Sequence, residues 1–217
     1  MNYSALIGSI HRNGVLTVIA RGAESNGDLL GIKLLKELLK LKEPIFVALY
    51  EPLLVFRSNL ANEGIMLEDV LGDDFWILDV FGNFKGIERD IPHVYQMSGY
   101  LDDGVFVSKY GEMMKGLSKS LSSERVWFFS YLSSGACKLF SMPRRTYQII
   151  WNLKMEVEEY LPDIRSVLVY DSADCPELED YIYTISDVVV EAVKRGTRRL
   201  AYITKGGEAV FDPFGGE

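Results

Sequence analysis

Val15-Leu16-Thr17-Val18-Ile19-Ala20 is followed by Arg21-Gly22-Ala23-Glu24-Ser25-Asn26-Gly27-Asp28-Leu29, and a run with apolar residues at helical spacing continues to residue 41. The first six residues are apolar and β-branch-rich, the pattern of a strand buried on both faces. In residues 29–41, Lys33, Lys36, Glu37 and Lys40 fall opposite the leucines, which predicts an amphipathic helix. Strand, glycine-bearing loop and helix in this order predict the opening unit of an α/β sheet.

The same order is the setting of a phosphate-binding loop, and Gly22 and Gly27 have the spacing that loop requires. Its glycines allow a tight turn whose backbone N–H groups wrap the phosphates. A lysine after the second glycine reaches the outer phosphates, and the next Ser or Thr binds Mg²⁺. Here those two positions are Asp28 and Leu29. A carboxylate about 4 Å from a phosphate charge costs roughly 4 kcal/mol at an effective dielectric near 20, where lysine gains a similar amount. Leu29 has no oxygen to offer a metal. The loop therefore predicts the frame of a phosphate site without its hydrolytic chemistry. A second reading makes it a plain glycine turn, with Asp28 favoured near the positive end of a helix.

Outward from this unit, strands are predicted at 45–50, 75–80, 126–131 and 166–170, with a short one at 94–97. Helices are predicted at 53–61, 110–121 and 145–160, the last stopped by Pro162, and a helical turn at 176–183. Residues 185–193 and 200–204 read as a closing pair of strands, antiparallel at one edge of the sheet. The expectation is one α/β domain over 1–217, a mostly parallel sheet with helices on both faces. Residues 83–108 are the least regular and are a candidate insertion or lid. Trp76, Trp127 and Trp151 sit in apolar patterns and are assigned to the core.

A chain of 217 residues can bury a large core without staples. Its net charge of −8 argues against non-specific binding to nucleic acid or anionic lipid, since phosphates are met by Lys and Arg. Arg144-Arg145 and Arg195 with Arg198-Arg199 are the dense basic clusters and are read as solvated. Two cysteines, Cys137 and Cys175, and two histidines, His11 and His93, form no zinc pattern, so no metal site is expected. The low cysteine count suits a reducing compartment. Residues 1–13 lack the form of a signal peptide, and no apolar run reaches about 18 residues. These readings together predict a cytoplasmic protein with no membrane span.

The order of elements resembles a KaiC-type, RecA-like domain along most of the chain. Phe46-Val47-Ala48-Leu49-Tyr50-Glu51-Pro52 resembles that family's second strand, which ends in an acidic residue. Residues 57–68 resemble the helix that follows, residues 126–133 stand at the Walker B strand, and Arg198–Gly206 resembles the last strand. The resemblance implies that Glu51 holds the position of the water-activating glutamate and Lys205 the family's basic position. It places Ser130 where the family has the carboxylate that orders Mg²⁺. A general base without lysine or metal has nothing to act on. The whole chain also resembles the archaeal domain-of-unknown-function family 257.

Paired carboxylates at Asp73-Asp74, Asp102-Asp103 and Glu158-Glu159 are read as solvated loops or helix faces. Ser133-Ser134-Gly135-Ala136-Cys137 lacks the nucleophile-elbow pattern, and Cys137 is assigned as a small buried residue. Two functional readings remain. In the first the chain is a pseudo-ATPase that binds a protein or peptide partner, with no cofactor. Ligands of open α/β sheets bind at the carboxyl ends of the strands, so Arg21, the loop 22–29, Glu51, Ser130, Ser133 and Ser134 line the expected cleft. In the second the chain binds ATP with unusual phosphate handling, its positive charge coming from Lys205 or a neighbouring subunit. Assembly into a homo-oligomer stays open in both.

Overall fold

The computed structural model describes residues 3–99, 101–120, 123–157, 161 and 163–215. A nine-stranded sheet forms the centre, in the order β4-β3-β2-β5-β6-β1-β7-β8-β9. The strands are β1 (Val15–Ala20), β2 (Ile45–Leu49), β3 (Phe75–Asp79), β4 (Val94–Tyr95), β5 (Val126–Ser133), β6 (Ile164–Asp171), β7 (Val188–Arg195), β8 (Arg198–Lys205) and β9 (Ala209–Phe211). From β4 across to β7 every pairing is parallel, and β8 and β9 turn back antiparallel at one edge. All residues of β1, β2 and β3 are buried, which is why they read as unbroken apolar runs.

One face of the sheet is covered by α1 (Tyr3–Gly8), α2 (Gly27–Lys40), α3 (Leu53–Asn62) and α4 (Leu67–Val70). The other is covered by α6 (Asp103–Ser120), α8 (Pro143–Val157) and α9 (Glu179–Ile185), with the shorter α5 (Val80–Lys85) and α7 (Gly135–Leu139) at the strand ends. Alternation along β5 sends Trp127, Phe129 and Tyr131 to the first layer and Val126, Phe128 and Leu132 to the second. Trp76 and Trp127 are core residues as expected; Trp151 is only partly buried.

Several boundaries differ from the pattern. The helix after β1 begins at Gly27, because Asn26 takes the left-handed conformation (φ 56°) and opens it. Residue 185 closes α9 rather than opening a strand. The hydroxyl of Ser186 donates to the Ile182 carbonyl and is 2.6 Å from Thr17 Oγ1 in β1, which sets the turn there. Within 83–108, β4 adds to the sheet beside β3, and α6 begins at Asp103, earlier than the predicted 110. Leu121 and residues 158–160 and 162, at the ends of two predicted helices, lie outside the described residues, and with them the pair Glu158-Glu159.

Asp103 is not a freely solvated loop acid. Its carboxylate accepts the N–H of Ser141 and Met142 and the hydroxyl of Thr146, so it ties α6 to the start of α8. Partial burial opposes its charge, but these bonds outweigh burial and hold its pKa below the usual range. No helix among the described residues is long and apolar enough to cross a membrane.

Candidate functional site: the carboxyl edge of the sheet

Because β2, β5, β6 and β1 are parallel neighbours, their carboxyl ends lie in a row. That row carries Glu51 beyond β2, Ser133 and Ser134 at β5, Asp171 at β6, and the loop 21–28 beyond β1. Gly22 has φ 92°, a conformation glycine adopts without penalty. A Cβ on Gly27 would stand 2.5 Å from Ala20 Cβ, so glycine lets α2 start against the end of β1. Both glycines thus have a backbone reason to be there that involves no phosphate.

Three of the loop's amides turn inward. Ser25 N–H donates to Gly22 O (3.0 Å), Asn26 N–H to Ala23 O (3.3 Å), and Gly27 N–H to Ser25 Oγ (3.3 Å). Ala23–Ser25 forms one turn of 3₁₀ helix. Its outer side is pinned to the β7–β8 ribbon: Lys194 Nζ meets Glu24 Oε2 at 2.7 Å and Arg199 Nε donates to Glu24 O at 3.0 Å. Arg21 turns to β7 and α9, pairing with Glu191 (2.9 Å) and Glu179 and donating to Ser172 Oγ.

Asp28 stands in the first turn of α2 beside a cavity of about 230 Å³ lined by Gly27, Leu29, Asn59, Asn62 and Asp171 among others. One of its oxygens accepts from Ser133 Oγ at 3.2 Å, and the other is buried with no hydrogen-bond partner. Burial pushes its pKa up to about 6; Ser133 pulls the other way, and the charges of Glu51 and Asp171 add to the rise. Glu51 Oε1 accepts both the N–H and the hydroxyl of Ser134 (3.1 and 3.2 Å). Asp171 Oδ1 accepts the N–H groups of Ala173 and Asp174. Asn59 Nδ2 donates to Tyr131 OH at 3.0 Å on the same side. Burial, with Asp28 close by, raises the Tyr131 phenol well above its ordinary value.

Of the expected cleft residues, the strand-end row holds Arg21 to Leu29, Glu51, Ser133 and Ser134. Two do not belong to it. Ser130 points to the other face of the sheet and hydrogen-bonds Tyr147 of α8. Lys205 lies at the opposite, amino-terminal edge: β8 runs antiparallel to β7, so Lys205 pairs with Val189. Its Nζ donates to Tyr183 O and Thr184 O and so caps the last turn of α9. Asp171, Asn59 and Tyr131 were not anticipated. Asp171 had a readable signal, since it is the first carboxylate after the apolar run 166–170, as Glu51 is after 45–50.

Cys137 and Cys175 form a disulfide, with Cα atoms 5.5 Å apart, which the cysteine count alone did not suggest. Cys175 is fully buried and Cys137 only partly, contrary to the expectation for Cys137. Among the described residues no cluster of three or more His, Cys, Asp or Glu is arranged to hold a metal ion.

No family model matches the chain, and no curated protein matches its sequence. Solved structures share its fold. The chain has the α/β architecture of KaiC-like proteins. An uncharacterised protein of Pyrococcus horikoshii, crystallised in complex with an unknown peptide, superposes with a TM-score of 0.78 at 19% identity, covering 96% of this chain and 91% of that one. A KaiC-like protein of Pyrococcus horikoshii OT3 gives 0.59 at 15% identity, over 94% and 86%. The flagellar accessory protein FlaH of Methanocaldococcus jannaschii gives 0.54 at 12% identity, over 94% and 86%.

Proposed function

We propose that this chain is a KaiC-like module that has lost nucleotide chemistry and binds a peptide or protein partner at the carboxyl edge of its sheet. One observation carries the reading: where a phosphate-binding loop presents a lysine, this loop presents Asp28, and the amides of Ser25, Asn26 and Gly27 are bonded within the loop itself. A triphosphate does not fit these groups. It would meet the carboxylates of Asp28, Glu51 and Asp171, and the lysine of this row, Lys138, already donates to Ser134 Oγ and pairs with Asp174. Lys205, the cation the alternative reading needs, is at the far edge, and Arg21 is engaged by two glutamates. Glu51 then serves as a hydrogen-bond acceptor for Ser134, not as a base. A Pyrococcus protein of the same fold holds a peptide, which supports a peptide as the kind of partner.

Calorimetric titration with ATP, with and without Mg²⁺, tests the first half; binding tighter than about 100 μM would overturn it. Selection from a displayed random-peptide library tests the second half. Binders that release on Asp28→Lys are expected, and a selection that yields none, or only binders indifferent to that change, counts against the cleft.

A further inference from the structure

The disulfide lies beside the cleft, not in the core at large. Cys137 belongs to α7, directly after Ser133 and Ser134, and Cys175 closes the loop that begins at Asp171. It therefore joins the loops that leave two neighbouring strands, β5 and β6, and both loops carry residues of the strand-end row. The β5 side is held out of regular geometry. Its register against β6 slips between Tyr131 and Ser133, and Ser133 has φ 42°, a left-handed value unusual for a non-glycine residue. Such a conformation persists where surrounding contacts over-determine it. Those contacts are Asp28 to Ser133, Glu51 to Ser134, and the disulfide. Lys138 also reaches across to Asp174 at 3.8 Å, both side chains more than half exposed, a pairing that holds little by itself.

We infer that Cys137–Cys175 is a reversible thiol–disulfide site, taking small or protein dithiols, whose reduction releases the β5 and β6 loops and opens the strand-end cleft. The two cysteines differ in burial, Cys175 fully buried and Cys137 only partly, which sets the order of events. A dithiol's thiolate attacks Sγ of the less buried Cys137; the S–S bond breaks and its electron pair leaves on Cys175 Sγ, which takes up a proton. The second thiol of the reductant then attacks the mixed disulfide, freeing Cys137 and leaving the reductant as a disulfide. Two electrons pass from dithiol to protein, and a small-molecule disulfide reverses the exchange. The loop release is independent of any ligand; only its consequence for binding rests on the peptide-site reading.

Hydrogen exchange of the full chain, oxidised and then reduced with dithiothreitol, reads the loops directly. Residues 131–139 and 172–178 are expected to exchange about tenfold faster or more after reduction, with β1 and β2 unchanged. In a second arm, Cys175→Ser leaves a thiol at 137 that a maleimide labels in the native protein, while Cys137→Ser leaves one at 175 that it does not. Unchanged loop exchange on reduction overturns the inference. So does acceleration throughout β1 and β2, or thiols that stay free in the presence of oxidised glutathione. Equal labelling of the two single-cysteine variants overturns the order of attack. Faster loops in a protein that selects no peptide would leave this inference standing and remove the proposed function.

Discussion

Glu51, two residues beyond β2, accepts both the backbone N–H and the hydroxyl of Ser134 at the end of β5. The carboxylate thereby closes the space above two neighbouring strands. Ser134 is buried, so its N–H has no water to turn to. Glu51→Ala is expected to cost about 1–3 kcal/mol, the penalty of a stranded buried donor. Ser134→Ala removes only the hydroxyl and should cost less, about 0.5–1.5 kcal/mol. Urea unfolding of both variants makes the comparison, and the order of the two costs decides it.

Asp28 predicts an unusual pH profile. Its folded-state pKa is about 6 against a reference of 3.8, so the folded chain holds this proton more tightly than the unfolded chain. Stability from this group is full below the reference value, falls as pH rises towards 6, and is flat above. Asp28→Asn removes that fall and should gain on the order of 1–3 kcal/mol at pH 7, less whatever the helix-end attraction contributed. Unfolding midpoints between pH 4 and pH 8 test this; a variant with an unaltered slope across the lower half of that range would refute it.

Gly27→Ala should be destabilising by about 1–3 kcal/mol, since its Cβ would stand 2.5 Å from Ala20 Cβ. Adding Ala20→Gly should return part of the loss, because the two sites share the same space. If the double variant is no better than the sum of the single ones, the close approach of α2 to β1 is not what requires glycine.

Lys205→Ala is expected to loosen the last turn of α9, by about 0.3–1 kcal/mol, and to leave ligand binding at the cleft untouched. A change in affinity for any cleft ligand would contradict its place at the amino-terminal edge.

The strands were legible because burial on both faces leaves a plain apolar run; the observed bounds of β1 match the pattern residue for residue. Short elements were not: α1, α7 and β9 carry too few residues to show a period. In the site, Gly22, Gly27, Asp28 and Glu51 could be placed because each sits within a few residues of a clear strand. Ser130 and Lys205 failed for two different geometric reasons. The face to which Ser130 points depends on strand alternation relative to α2, which lies a hundred residues away in the chain. The edge that Lys205 occupies depends on β8 running against β7, and an apolar run has no direction. The cysteine pair, 38 residues apart, likewise needs β5 and β6 to be neighbours before it can be foreseen.

The sheet ends in two very short strands, Val94–Tyr95 on one side and Ala209–Phe211 on the other. Each edge strand therefore offers a neighbouring molecule only two or three residues of ladder, and short edge strands are a common guard against fibrous stacking.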